Sequence, residues 1–301
     1  CDGRIRKKKK INLSMLLRDF IYSFFQSLTL DFKKKNFFKC FKKILYYPYK
    51  FFLDKVRELF LIKKFKLDYS KKLTNYKNYQ LDQLFYTFNA DKGSKFFLNN
   101  KKRNGHNYTP YYEKYLSKYK KKKNLKILEI GSLRGAATAS FYYYFNNPKI
   151  VCADINPFQI QAFSKQVRKI FINTRSDESI SNFSKYVRDK FDIIIDDGSH
   201  NIRDQIISFN ILFRKLIKHG MYVIEDASQY KAMKNLNLDN LKFGSKEILF
   251  SIIKGNFNER KYLSKDDIKK LGSKIKKIHV KKGKFTQKGI NISEIIFVEK
   301  L

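Results

Sequence analysis

The chain has no tryptophan, three cysteines, four prolines and four histidines in 301 residues, and its 27 acidic side chains face 65 basic ones. Each shortage excludes something. Cys1, Cys40 and Cys152 fall into no metal-ligand or disulfide spacing, which argues against a zinc module or a stapled secreted scaffold and suits a reducing cytosol. Cys152, inside an apolar run, reads as a small core residue. No uncharged apolar run is long enough to span a bilayer. Ile11 to Leu30 comes nearest, but Arg18 and Asp19 sit in its middle, where a charge costs on the order of 2.5–3.5 kcal/mol. No glycine turn is followed by Gly-Lys-Ser/Thr, so a kinase-type phosphate loop is disfavoured. No internal repeat is present, and the only low-complexity segments are lysine runs. The chain starts at Cys1 rather than methionine, as a fragment or processed product would, and no signal peptide supports a lipidated cysteine there.

What is present is apolar and basic. Hydrophobic residues make up 43% and aromatic residues 16%, enough for a globular core in a chain of this length. The formal charge of +38 invites a nucleic-acid or anionic-membrane reading, but its distribution argues otherwise. Residues 1–72 hold 21 Lys/Arg against 6 Asp/Glu, whereas residues 124–230 hold 14 against 11. The excess therefore lies mostly outside the stretch that carries the chemistry. Abundant Lys, Asn, Ile, Phe and Tyr with scarce Ala, Gly and Pro also match the bias of an AT-rich genome, which accounts for part of the charge.

Two segments organise the chain. Residues 1–75 form a basic, aromatic-rich extension expected to be helical, in which Phe, Tyr, Leu and Ile between 36 and 66 are interleaved with lysines. Such a stretch suits an anionic membrane surface, or an apolar face packed on the main domain or on a second subunit. Pro48 is expected to break or kink a helix there. Residues 76–301 form the second segment. Asp91-Lys-Gly93 and His106-Asn-Tyr-Thr-Pro-Tyr-Tyr112 read as loops. Strands are then expected at Leu125–Ile130, Lys149–Asp154, Lys169–Asn173, Phe191–Asp197 and Met221–Asp226. Helices are expected at Ala136–Phe145, Pro157–Val167 (with Asn156 as N-cap), Glu178–Asp189 and Ile202–Lys218. After an insertion at about 231–272 with helical pieces, Lys276–Lys281 and Asn291–Glu299 read as a terminal hairpin. The βαβα rhythm makes this an α/β, doubly wound, Rossmann-like and mostly parallel sheet, with seven strands once the antiparallel C-terminal hairpin is included.

The chemistry gathers at strand ends. Phe191-Asp-Ile-Ile-Ile-Asp-Asp-Gly-Ser-His200 and Met221-Tyr-Val-Ile-Glu-Asp226 are apolar runs that finish in acids. In open α/β sheets the ligand crevice lies at such carboxyl ends, so Asp196, Asp197, His200, Glu225 and Asp226 are candidates for one site. The first strand ends Glu129-Ile-Gly131-Ser-Leu-Arg-Gly135, where Gly131 permits a tight turn and Gly135 a close ligand approach. The second ends in Asp154, placed to accept a hydrogen bond from a ribose hydroxyl. These features leave a dinucleotide and S-adenosylmethionine (SAM) both open.

Leu128-Glu-Ile-Gly131, Ala153-Asp-Ile155, Phe191–His200 and Tyr222-Val-Ile-Glu-Asp226 together resemble class I SAM-dependent methyltransferases. More narrowly, the chain resembles metal-dependent sugar O-methyltransferases of the mycinamicin and macrocin type, over roughly residues 81–299 and including the Asp91-Lys-Gly93 and His106-Asn-Tyr108 elements. The resemblance implies that Glu129 and Gly131 border the amino-acid end of SAM, that Asp154 binds its ribose and that Ser176 and Asp177 border its adenine, with Gly135 also among the cofactor-binding residues. It implies Asp197, Glu225 and Asp226 as ligands of Mg²⁺ or another hard divalent cation, and His200 as general base. Three carboxylates suit such an ion, an imidazole suits proton transfer near neutral pH, and Asp196 would orient the cluster from behind. Two positions depart from the pattern. A glycine pair before the fifth strand is His219-Gly-Met221 here, and a second histidine is replaced by Asp204. His106 and His219 receive no chemistry.

The expected activity is therefore SAM- and metal-dependent O-methylation of a hydroxyl on a saccharide or glycosylated metabolite. The enzyme would be cytoplasmic, with the inner membrane face or a homo-oligomer as further partners of residues 1–72. An RNA methyltransferase is the alternative that the charge suggests, disfavoured because that charge lies outside the core. An inactive membrane- or polyanion-binding module is the non-enzyme alternative, opposed by the intact Asp154, Asp197, His200, Glu225 and Asp226.

Overall fold

Five consecutive apolar runs set the architecture, because strands buried on both faces read as continuous hydrophobic stretches. The computed structural model describes residues 13–60, 75–145, 147–257, 262–287 and 289–301. Strands β3 (Lys126–Ile130), β4 (Lys149–Asp154), β5 (Val167–Phe171), β6 (Phe191–Asp196) and β7 (Leu216–Ile224) are parallel where they pair. β8 (Ile275–Lys282) and β11 (Glu294–Lys300) complete the sheet, with β11 antiparallel to both β7 and β8. The order is β5-β4-β3-β6-β7-β11-β8. The expected seven-stranded, doubly wound sheet with an antiparallel C-terminal hairpin is thus observed.

Alternate residues of each strand feed opposite faces. Leu128, Val151, Ile194 and Tyr222 join one core with helices α6 (Asp177–Tyr186), α7 (Ile202–Leu212), α8 (Ser245–Ile253) and α9 (Lys265–Gly272). Ile127, Cys152, Ile195 and Val223 join the other with α3 (Leu81–Phe88), α4 (Thr109–Leu116) and α5 (Ala136–Tyr144). Strand order reverses between β4-β3 and β6, so the loops after β3 and β6 flank the switch point where ligands bind.

The N-terminal extension is a helical hairpin, α1 (Leu13–Lys33) and α2 (Phe37–Phe60). α1 lies along the open edge of β5. Ser23 Oγ accepts the Phe171 N–H at 3.0 Å, and Arg168 donates to both oxygens of buried Asp19 at 2.9 and 2.8 Å. Tyr22 stacks on Tyr186 with ring centroids 3.9 Å apart. The edge strand is thereby covered, which removes a template for unwanted pairing.

Several local expectations are corrected. Pro157–Val167 is not a helix but one 3₁₀ turn, Pro157–Gln159. Asn156 precedes that turn without a capping hydrogen bond from its side chain, and Gln161 N donates to Arg134 O instead of continuing a helix. Phe158 packs on Phe20 and Tyr47 of the hairpin. The third strand is Val167–Phe171, two residues earlier than expected. α7 ends at Leu212, and a 3₁₀ turn, Phe213–Lys215, leads into β7 at Leu216. Strand pairing with β6 there outweighs helical periodicity. Pro48 stands inside α2 and does not end it. The carbonyl it leaves unfilled belongs to Ile44, whose side chain is exposed, where water can serve it. Asp91–Tyr112 is more ordered than a loop. It holds a hairpin of β1 (Lys95–Leu98) and β2 (Lys101–Asn104), and α4 begins at Thr109 with Pro110 in its first turn. The final hairpin encloses a small ladder of β9 (Thr286–Gln287) and β10 (Ile290–Asn291).

Candidate active site

Register brings the acids together. Ile130 of β3 is paired with Asp196 of β6, and Asp196 with Ile224 of β7. The next residues, Gly131, Asp197 and Glu225, therefore leave the sheet side by side. Asp197 N donates to Ile130 O at 3.0 Å and Glu225 N to Asp196 O at 2.9 Å. Gly131 has φ +78°, and a Cβ there would meet Asp197 O at 1.9 Å. No other residue fits that crossing.

Asp197, His200 and Asp226 each offer a ligand atom, and these atoms lie within 4.8 Å of one another. His200 (φ 56°) and Asp226 (φ 53°) both adopt the left-handed region, which non-glycine residues occupy at a cost of order 1 kcal/mol when their surroundings hold them there. Tyr108 donates to Asp226 Oδ1 at 2.6 Å, and His106 Nδ1 lies 3.0 Å from the same oxygen. His106 Nδ1 also meets Ser293 Oγ at 2.9 Å. Burial opposes the charged form of both partners, yet their mutual attraction wins. Asp226 is carried down to about 2 and His106 up to about 9.

Glu225 is adjacent in sequence but turned elsewhere. Its Oε2 is 2.6 Å from Lys92 Nζ, and its Oε1 accepts from Tyr112 OH. Lys92, itself buried, also meets Asp197 Oδ2 at 2.5 Å. One ammonium thus bridges two of the three carboxylates expected to hold a metal. Burial, and then the charge of Asp197, push Glu225 up to about 8 despite Lys92. Behind the strand end, Gln205 Nε2 donates to Glu225 O at 3.1 Å and is itself held by Ser245 of α8. Asp196 accepts from Tyr222 OH at 3.0 Å and Gly198 N at 3.3 Å. Burial raises it to about 7. It supports the turn to His200 rather than entering the cluster. His200 Nε2 is 3.9 Å from Asp197 Oδ1, and its buried Nδ1 has no hydrogen-bond partner.

A cavity of about 380 Å³ opens beside this cluster, lined by Gly131, Asp154, Asn173, Thr174, Arg175 and Gly198 among others. Asp154 takes N–H groups of Leu133 and Asn156, each at 2.8 Å, and burial raises its pKa. Glu129 is not in the lining. Its carboxyl is buried under α5, bonded to Thr138, and raised by burial to about 7. Gly135, at φ +83°, begins α5 over Ile160 and Ala162 and also lies outside the lining. Ser176 caps α6 by accepting from Ser179 N, and Asp177 pairs with Arg203 at 2.5 Å. Their place at the cavity is taken by Asn173, Thr174 and Arg175, immediately before them.

Four residues of the site escaped the sequence reading: Lys92, His106, Tyr108 and Tyr112. All come from the segment ahead of the sheet, more than 100 residues from their partners. The only signal for the first three was the similarity of Asp91-Lys-Gly93 and His106-Asn-Tyr108 to elements of related chains, and Tyr112 lies outside both.

A family model described as FtsJ-like methyltransferase matches residues 112–264. No curated protein matches the chain. The chain is similar to solved structures of the MycE methyltransferase from the mycinamycin biosynthetic pathway. With Mg, SAH and mycinamycin VI bound, that structure aligns at a TM-score of 0.54 and 21% identity, over 74% of this chain and 54% of that chain. A second, with Mg and SAH, gives 0.53 and 22%, over 74% and 55%. This chain spans about half the length of those proteins, and at such identity the likeness is one of fold.

Proposed function

The chain belongs to the FtsJ-like methyltransferase family, and with fold and family making it a SAM-dependent methyltransferase, we propose that it methylates a hydroxyl oxygen of a saccharide or glycosylated metabolite with help from a hard divalent cation. The observation that carries this reading is the convergence of Asp197, His200 and Asp226 at the strand ends, beside a cavity bordered by Asp154 and Gly131. In this proposal SAM occupies the cavity, with Asp154 at its ribose, the backbone at Gly131 and Gly198 beside its amino-acid end, and Asn173 to Arg175 around its adenine.

The donor chemistry fits a cation. Two carboxylates and an imidazole offer ligand atoms within 4.8 Å of one another, and a third carboxylate, Glu225, precedes Asp226 in sequence and is held by Lys92. Asp197 and Asp226 would hold it, and Glu225 would join them on turning from Lys92 and Tyr112. When bound, the ion supplies charge that orients neighbouring sugar hydroxyls and makes one easier to deprotonate. His200 takes the proton at Nε2, whose distance of 3.9 Å to Asp197 leaves it uncommitted to a hydrogen bond there. The acceptor oxygen then forms its bond to the methyl carbon as the carbon–sulfur bond breaks, and the electron pair leaves on sulfur as S-adenosylhomocysteine. Since no covalent intermediate is needed, placement of the two reactants in line supplies most of the rate.

Methylation of a saccharide panel with labelled SAM, in Mg²⁺ and in EDTA, tests the reading. Transfer to a sugar hydroxyl that EDTA abolishes is expected. Transfer indifferent to EDTA removes the metal assignment, and transfer to RNA but to no saccharide removes the acceptor class.

A further inference from the structure

We propose that the outer face of the α1–α2 hairpin is a docking surface for an anionic lipid bilayer, on which the hairpin lies flat. The inner face is already satisfied. Asp19, Ser23, Ser27 and Asp31 of α1 and Cys40 and Tyr47 of α2 are buried against the sheet edge or against one another. The opposite face is apolar without any need of the fold. Half of the exposed large hydrophobic side chains among the described residues fall between Leu17 and Phe52. On α1 they recur at Leu17, Ile21 and Phe25, one helical turn apart. On α2 they include Phe38, 79% exposed, with Phe41, Leu45 and Phe52, 65% exposed. A patch of this extent is unusual for a surface facing only water.

Charge decides the occupant. Lys34, Lys35, Lys39 and Lys42 are exposed around this face. The acids of the same stretch, Asp19 and Asp31, are buried and paired with Arg168 and Lys43, so between residues 14 and 53 no acidic side chain is exposed. A second copy of the chain would bring the same uncompensated lysines against them. Single-stranded nucleic acid would find the lysines and stack on the phenyl rings, but would leave aliphatic Leu17, Ile21, Ile44 and Leu45 uncovered. An anionic bilayer satisfies both halves, taking apolar side chains below its headgroups and lysines among them. No described helix is long and apolar enough to cross a membrane, which leaves the flat orientation. Lys34, in the turn of the hairpin, also lines the 380 Å³ cavity, so docking would hold the mouth of that cavity beside the bilayer.

Flotation of the full chain with vesicles of phosphatidylcholine plus phosphatidylserine, against phosphatidylcholine alone, tests this. Binding to the anionic vesicles that weakens with salt is expected. The combined variant Phe38→Ser, Phe41→Ser, Leu45→Ser and Phe52→Ser should lower partitioning by about a hundredfold or more, with unchanged melting and SAM binding. Lys39→Gln with Lys42→Gln should lower it about tenfold and flatten the salt dependence. If the serine variant melts poorly, the lysine pair carries the test. Equal binding to neutral vesicles, flotation unaffected by either variant, or a soluble dimer that the serine variant dissolves without any flotation would overturn the proposal.

Discussion

Replacing Lys92 by methionine isolates the electrostatics of the site, because the volume is kept while the charge is lost. Lys92 Nζ lies 2.5 Å from Asp197 and 2.6 Å from Glu225, and its side chain is 4% exposed. Removing it leaves two neighbouring carboxylates facing each other without a countercharge. Breaking a buried ion pair on one side costs about 3–5 kcal/mol. At about 2–4 °C per kcal/mol for a domain of this size, Lys92→Met in EDTA should melt about 10 °C below the parent chain. A divalent ion bound only by the folded state replaces the lost positive charge. Saturation at a hundred times Kd returns about 2.7 kcal/mol. Differential scanning fluorimetry in EDTA and in a Mg²⁺ series therefore has a definite expected shape: a large deficit without metal, and a recovery in the variant exceeding the gain of the parent. Equal melting of the two chains in EDTA would refute the counterion role of Lys92. A deficit that Mg²⁺ leaves untouched would refute the cation site.

Other outcomes follow from the same geometry. His200→Ala should lower turnover at least ~100-fold while SAM affinity stays within about threefold, and retained turnover would remove it as the base. Gly131→Ala places a Cβ 1.9 Å from Asp197 O, so SAM binding measured by calorimetry should weaken more than ~10-fold. Asp19→Ala strips Arg168 of the buried one of its two carboxylate partners, Asp189 remaining, and should cost about 3 kcal/mol in urea unfolding; a loss under ~0.5 kcal/mol would mean that α1 is not held to β5 by this pair. Cys152, raised by burial to about 12, should escape alkylation at neutral pH in the native chain and react after denaturation, as read by peptide mass spectrometry.

The sheet was legible because its signals are local. Apolar runs of five or six residues, ended by glycine or acids, mark parallel strands whatever else surrounds them. The helix expected at Pro157–Val167 failed for a non-local reason: Phe158 packs on Phe20 and Tyr47, more than a hundred residues earlier, and backbone groups bond to the loop after β3. The start of β7 was misplaced because Leu216–His219 carries amphipathic spacing that helix and strand share, and pairing with β6 decides between them. At the site, Asp154, Asp196, Asp197, His200 and Asp226 were readable as strand-end residues. The turning of Glu225 toward Lys92 was not, since side-chain direction depends on what packs opposite.

By itself the sequence determined the parallel core and the row of acids at its carboxyl edge. Periodicity places strands, and a strand-end acid must emerge where the strand stops. Only the tertiary structure decided which acids meet and what compensates them. Lys92, His106, Tyr108 and Tyr112 reach Asp197, Glu225 and Asp226 across 105 to 133 positions of chain, over an intervening sheet whose register no short stretch encodes. The same holds for residues 13–60. Their composition could belong to a membrane segment or a packed hairpin, and it was the open edge of β5, with Phe171 N–H and Arg168 needing partners, that gave α1 its place.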